Sequence, residues 1–280
     1  MSDVLAPDAL AVSCDEPGCG ADVGRGCVRA NRDSRAPHPS RVAKARAALA
    51  AIDDIWLQTV SGVAFPLAHP SAADIRARDI AHALAGINRF GGHLRVSHYS
   101  VAQHSILCAV LLWQRTCDRL ATTAALLHDA HEAYTGDIKA PLKALINACA
   151  PGCLRDLEGG IDHAIAAWAQ LELGQGAADV RRLIKTADLQ LLFWERDRWM
   201  SKAPRPWIGE DDVVRLVPAD FGVETGSALL DAWSPTEAEA AFHWALGLLL
   251  PDGAPAVAAT GARLGRELAT AFRGCARAVR

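Results

Sequence analysis

The chain has 280 residues, of which 51% are hydrophobic and 22% charged, with a formal net charge of −3. That is ordinary globular usage at a length with ample material for a core. It excludes a broadly basic nucleic-acid footprint, and with no run of about 18 apolar residues it excludes a membrane-spanning helix.

The first residues, MSDVLAPDAL, lack a basic stretch followed by a long apolar run, so no signal peptide is expected and a cytoplasmic location is the default. In a reducing compartment the eight cysteines are not expected to form structural disulfides. Residues 11–41 are rich in Gly, Pro and Arg and hold Cys14-x4-Cys19-x7-Cys27-x10-His38. Three thiolates and one imidazole in a core-poor segment suit tetrahedral structural zinc. The glycines at 18, 20, 24 and 26 allow the tight turns such a knuckle needs. Arg25, Arg29, Arg32, Arg35, Arg41 and Lys44 make a basic face nearby. It reads as a solvated surface rather than a nucleic-acid contact, with the contact left open. The remaining cysteines, Cys108, Cys117, Cys149, Cys153 and Cys275, read as small core residues.

Residues 39–52 read as an Ala-rich helix opened by Pro39. Residues 56–70 hold strand-like text around Ser61-Gly62 and suggest one hairpin. Ser71 and Asp74 form a capping-box-like start to a helix closing on Gly86. Apolar spacing of three and four then predicts helices over 100–113, 119–131, 154–172, 178–199 and 235–250. Residues 200–226 carry three prolines and read as irregular. The fold class is therefore mainly α, a helical bundle over 46–250. A small N-terminal Cys/His zinc-binding module occupies 1–45, and a flexible or loosely helical tail occupies 251–280. Trp56, Trp113, Trp194 and Trp199 read as core.

The stretch ALLHDAHEAYTGDIKAPLK, residues 125–143, moves from apolar text straight into His, Asp, His and Glu. On a continuous helix His128 and Glu132 share a face, and Asp129 is turned by about 100°. His128 and Asp129 together offer one nitrogen and one oxygen ligand, a mix suited to Zn, Mn, Co, Ni or Fe. Two further ligands are sought elsewhere. His104 is polar on an otherwise apolar helix and faces inward by periodicity. Asp188 is a lone carboxylate in LIKTADLQLLFWERDRW, where burial without a partner costs several kcal/mol. Its bland alternative is a structural ion pair with Arg181, Arg182 or Lys185.

With RDIAHALAGINRFGGH before them, the stretches YSVAQHSILCA, ALLHDAHEAYTGDIKAPLK and KTADLQLLFWE resemble the HD-domain metal-dependent phosphohydrolases. They look closest to the branch of bacterial 5′-deoxynucleotidases and related phage nucleotide hydrolases, and the resemblance covers roughly residues 55–200. It implies that His104, His128, Asp129 and Asp188 hold a divalent transition metal, Co, Mn, Zn, Fe or Ni. It implies Glu132 as the carboxylate that orients or deprotonates water, and Asp137 as a second acid that contacts substrate or assists proton transfer. Arg89 would grip phosphate, with Lys139 and Lys143 as weaker substrate-binding candidates. Related enzymes are often homo-oligomers. The N-terminal segment in turn resembles short zinc-binding modules attached to phage and actinobacterial proteins.

The expected activity is hydrolysis of deoxynucleoside 5′-monophosphates to deoxynucleoside and phosphate. Release of triphosphate from a deoxynucleoside triphosphate is the alternative within that class. Outside it stands a catalytically silent helical scaffold whose Cys module binds nucleic acid or a protein partner. The intact set of four ligands argues against silence.

Overall fold

A computed structural model describes residues 54–251 and 262–273, together with Ser13, Cys19, Ser40, Ala43 and Lys44. The chain divides into two compact units, Met1–Leu57 with Pro66–His69 and Gln58–Phe65 with Pro70–Arg280. In the first unit Ser40, Ala43 and Lys44 are helical, and Lys44 Nζ donates to Ser13 Oγ at 3.0 Å. Of the expected zinc ligands only Cys19 is described; Cys14, Cys27 and His38 lie outside the described residues.

Strands β1 (Trp56–Gln58) and β2 (Ala64–Pro66) pair as a two-stranded hairpin, as the 56–70 text suggests. Gly62 supplies the turn with φ +78°, and Thr59 and Val63 close it through a backbone hydrogen bond of 3.0 Å. All three residues of β1 are exposed, so Trp56 is not a core residue.

The second unit is mainly helical. Its helices are α1 (Ala77–Gly86), α2 (Val101–Thr116), α3 (Arg119–Leu126), the single turn α4 (Glu132–Thr135), α5 (Ala140–Cys149), α6 (Cys153–Trp168), α7 (Ala177–Trp199), α8 (Pro235–Leu249) and α9 (Ala262–Arg273). Helix α2 is the centre. Every residue from Val101 to Leu112 is buried, the signature of a helix covered on all sides. Helices α1, α3, α7, α8 and α9 all pack on it. Caps set its ends. Ser100 Oγ accepts from Gln103 N, and Cys117 takes the left-handed conformation at φ 54°. Asp118 then caps α3 by accepting from Leu120 N and Ala121 N, which turns the chain back against α2.

Four expectations change. Helix α3 stops at Leu126 rather than running to His131. Helix α5 is not among the helices expected from apolar spacing, and none of its residues is buried. Residues 262–273 form a helix with Leu264, Leu268, Ala271 and Phe272 in the core. Of the cysteines read as core, Cys108 is buried, whereas Cys149 and Cys153 are exposed, and Cys117 is disulfide-bonded. The capping-box start at Ser71 is present, with Asp74 Oδ2 accepting from Ser71 N at 2.9 Å. It opens a 3₁₀ turn just before α1. No helix among the described residues is long and apolar enough to cross a membrane.

The central position of α2 has a measurable consequence. Leu107→Ala, at a site with no exposure, should lower unfolding free energy by about 2–5 kcal/mol. Leu145→Ala on the 66%-exposed face of α5 should stay within about 0.5 kcal/mol. Chemical denaturation of both variants makes the comparison.

Candidate metal centre

Four elements of the second unit deliver the site. Helix α2 presents His104, the turn after α3 presents His128 and Asp129, α7 presents Asp188, and the loop after α1 presents Arg89. The end of α3 explains the turn. His128 Nδ1 donates to the carbonyl of Ala125 at 2.8 Å, satisfying one of the carbonyls a helix end leaves open. Leu127 sits at φ −101°, ψ 5°, outside the helical region. The chain then passes through tight turns to α4, with Glu132 N donating to Asp129 O at 3.0 Å. His128 and Glu132 therefore do not share one continuous helix, which corrects the spacing argument. They belong to consecutive turns.

His104 has no solvent exposure. Its Nδ1 donates to Glu195 Oε1 at 2.7 Å. Among the described residues its Nε2 has no hydrogen-bond partner, and neither has His128 Nε2. Both lie beside Asp129, and His104 also lies beside Asp188. His104 Nε2 lies 3.4 Å from Asp188 Oδ1 and 3.6 Å from Asp129 Oδ2. His128 Nε2 lies 3.2 Å from Asp129 Oδ2 without the angle of a hydrogen bond. Donor atoms of His104, His128 and Asp188 all lie within 4.8 Å of one another. Metal–ligand bonds of about 2.0–2.2 Å place neighbouring ligand atoms about 3.0–3.5 Å apart. Two buried imidazole nitrogens, each with its other nitrogen already engaged, face two carboxylates at that spacing. The donor set fits a divalent transition ion.

The electrostatics agree. Burial opposes charge on Asp129, but the His128 and His104 rings outweigh it and hold its carboxyl well below the usual range. Burial is likewise overcome at Asp188, chiefly by the adjacent His104 imidazole, with His128 and Lys185 adding to it. Against burial, Asp129 and Asp188 in turn raise the His128 imidazole to about 9. The pair of carboxylates draws positive charge into the pocket. The expected Asp188 ion pair also exists, since Lys185 Nζ meets Asp188 Oδ2 at 2.8 Å. It uses the oxygen that does not face His104.

The other expected residues divide. Arg89 is buried, and its Nη1 lies 3.8 Å from Asp129 Oδ2. Burial disfavours its charge, and Glu195, Asp129 and Asp188 outweigh that, so the guanidinium stays ionised. Glu132 is buried, with Oε2 lacking a partner among the described residues. Burial first, then the Asp129 and Asp137 carboxylates, push it up to about 9. Asp137 is half-buried and reaches the site through that effect on Glu132. Lys139 is exposed, with its chain end lying over Gly91, where an added Cβ would meet Cε at 2.6 Å. Lys143 is engaged elsewhere, 2.9 Å from Glu158 Oε1. His131 is buried against Asp162 at 3.0 Å.

Sequence reading misses Glu195. It has no exposure and takes three donors, Tyr99 Oη at 2.7 Å, His104 Nδ1 at 2.7 Å and Arg89 Nε at 3.0 Å. Burial would raise its carboxyl, and Arg89 and His104 bring it below its usual value. One signal was present. Glu195 follows Asp188 by seven residues, about two helical turns, so both lie on one face of α7.

Over residues 2–55 the chain matches the family model described as "Putative DNA-binding phage zinc finger domain". That span includes Cys14, Cys19, Cys27 and His38 and supports zinc binding by the N-terminal segment. The uncharacterized protein YfdR of Escherichia coli K12 is 47% identical over 92 residues, 32% of this chain and 48% of that protein. The chain thus spans about half the length of that relative. The uncharacterized protein RCAP_rcc00048 of Rhodobacter capsulatus is 35% identical over 139 residues, 48% of this chain and 67% of that protein. On that extent and identity, the chain belongs to the family of the Rhodobacter protein.

Proposed function

We propose that the helical unit is a metal-dependent phosphohydrolase of the HD type, acting on deoxynucleoside 5′-monophosphates. One observation carries the reading. Two buried imidazole nitrogens without partners among the described residues converge with Asp129 and Asp188 beside a charged, buried arginine. The resemblance of the HD-containing stretches to nucleotide phosphohydrolases supplies the substrate class.

A divalent ion held by His104, His128, Asp129 and Asp188 would acidify water and polarise a phosphoryl oxygen. The protein's own groups do the rest. Arg89 has spent Nε on Glu195, so its two terminal nitrogens remain to fork onto phosphate oxygens. Glu132 is the proton acceptor for the attacking water. Its raised pKa reflects burial and the repulsion of Asp129 and Asp137, and neutralising the charge of Asp129 relieves part of that repulsion. Asp137 assists by proton transfer or substrate contact. Helix α2 and the buried faces around it keep bulk water from the ligand nitrogens.

Charge supply favours a monophosphate over a triphosphate. A triphosphate tail needs several cations. Lys143 is neutralised by Glu158, and Arg95 donates to the Arg198 carbonyl. Arg89 remains as the buried cation at the site, with Lys139 exposed beside its loop. For the N-terminal segment we propose structural zinc, and the name of the matching family makes DNA its proposed partner. We also propose that the chain self-associates and acts in the cytoplasm.

Metal-stripped protein supplied in turn with Co, Mn, Zn and Mg should release inorganic phosphate from at least one deoxynucleoside monophosphate. Triphosphate from a deoxynucleoside triphosphate would instead establish the longer substrate. Folded protein inactive with every metal would leave a silent scaffold. His128→Ala and Asp129→Ala should lose bound metal and turnover together. Glu132→Ala should keep its metal while kcat falls about 10²–10⁴-fold, as metal analysis and phosphate release on the same samples will read.

A further inference from the structure

Glu195 has no exposure and three donors, more than an isolated structural ion pair needs. Its two oxygens divide the work. Oε1 accepts from Tyr99 Oη and His104 Nδ1, and Oε2 accepts from Arg89 Nε. An ionised carboxylate has no proton to give, so His104 must carry its proton on Nδ1. In the neutral ring, the form that binds a metal, the lone pair is then on Nε2. Held at Nε, Arg89 in turn presents its terminal nitrogens toward the same centre. His104 Nε2 and Arg89 Nη1 lie 3.6 Å and 3.8 Å from one atom, Asp129 Oδ2.

We infer that Glu195 is a positioning residue that sets the metal ligand His104 and the anion-binding Arg89 together, so that binding of metal and of phosphate is coupled through it. The inference rests on the metal-centre reading above. Helix α7 carries both Asp188 and Glu195 on one face, so a single rigid element supplies one ligand directly and orients another from behind. Tyr99, beside the Ser100 cap of α2, holds Glu195 from the α2 side. An amide at this position has one oxygen and one NH2 group. It cannot accept from the His104 and Tyr99 pair and from Arg89 at the same time, so one contact becomes donor against donor.

The test is a Mn(II) titration of the full-length, metal-stripped chain, read by the electron paramagnetic resonance of free Mn(II), with and without inorganic phosphate. Manganese suits nitrogen and carboxylate ligands and is poorly matched to the thiolates of the N-terminal segment. In the native chain phosphate should tighten Mn(II), and Mn(II) should tighten phosphate by the same factor. Glu195→Gln should weaken Mn(II) by about 10–100-fold and abolish the phosphate effect, with a metal-free melting temperature within a few degrees of native. Arg89→Lys should keep most of the Mn(II) affinity and lose the phosphate effect. Folded Glu195→Gln that binds Mn(II) with native affinity and native phosphate coupling overturns the inference while leaving the metal centre standing. A native chain that binds no Mn(II) at this site overturns the metal centre and the inference with it. If Glu195→Gln does not fold, the ¹⁵N spectrum of His104 in the native chain decides. At a pH where the ring is neutral, protonated Nδ1 with bare Nε2 upholds the role of Glu195, and protonated Nε2 with bare Nδ1 overturns it.

Discussion

An imidazole nitrogen buried away from water, with no partner, is costly to keep. Among the described residues His104 Nε2 and His128 Nε2 are two such atoms, and both lie a few ångströms from the carboxylates of Asp129 and Asp188. Neither ring is free to turn away. His104 is tied by Glu195 and His128 by the last turn of α3. The polar groups are pinned from outside so that their lone pairs converge inside. That arrangement costs stability without a cation and is relieved by one, which is the physical content of calling the cluster a metal centre.

The architecture makes that convergence rigid. Helix α2 is buried along twelve consecutive residues, so His104 is fixed by packing in every direction. Helix α7 runs from Ala177 to Trp199 and brings Asp188 and Glu195 to α2 on one face. The short α3 ends where His128 caps it, and the tight turns that follow place Asp129 and Glu132 within the same small volume. The loop after α1 is held in a demanding conformation. Phe90 sits at φ 55°, and Gly91 and Gly92 are also left-handed. Arg89, at the start of that loop, reaches inward to Glu195. A non-glycine residue in that region costs about 1 kcal/mol or more, and the buried Arg89–Glu195 contact offsets it.

Much of this was legible in the residues. His104 announced itself as a polar residue on an apolar helix, and Asp188 as a lone acid in apolar text, because burying either without a partner is expensive. The capping box at Ser71 and the hairpin around Gly62 follow from local chemistry and are found, although the box opens a 3₁₀ turn rather than the helix that ends at Gly86, where Ile87 and not the glycine is the C-cap. What escaped depends on tertiary context. Glu195 reads as one more charge near the polar end of α7, next to Arg196 and Asp197, and only the packing of α2 against α7 shows it to be buried. The end of α3 at Leu126 is set by a side chain reaching back to a carbonyl, which apolar periodicity does not register. Helix α5 carries Leu142, Leu145 and Ile146 at helical spacing, a signal the sequence reading passes over. Lys143 looked available for phosphate until α6 placed Glu158 beside it.

The central claim is that these four side chains hold one divalent ion. Crystals soaked with Mn(II) or Co(II) and measured at that metal's absorption edge test it directly, because anomalous scattering locates the ion independently of any activity. The account predicts a single strong peak in the helical unit, about 2.0–2.3 Å from His104 Nε2, His128 Nε2 and an oxygen each of Asp129 and Asp188. Absence of a peak there, at metal concentrations that saturate other sites, would contradict it.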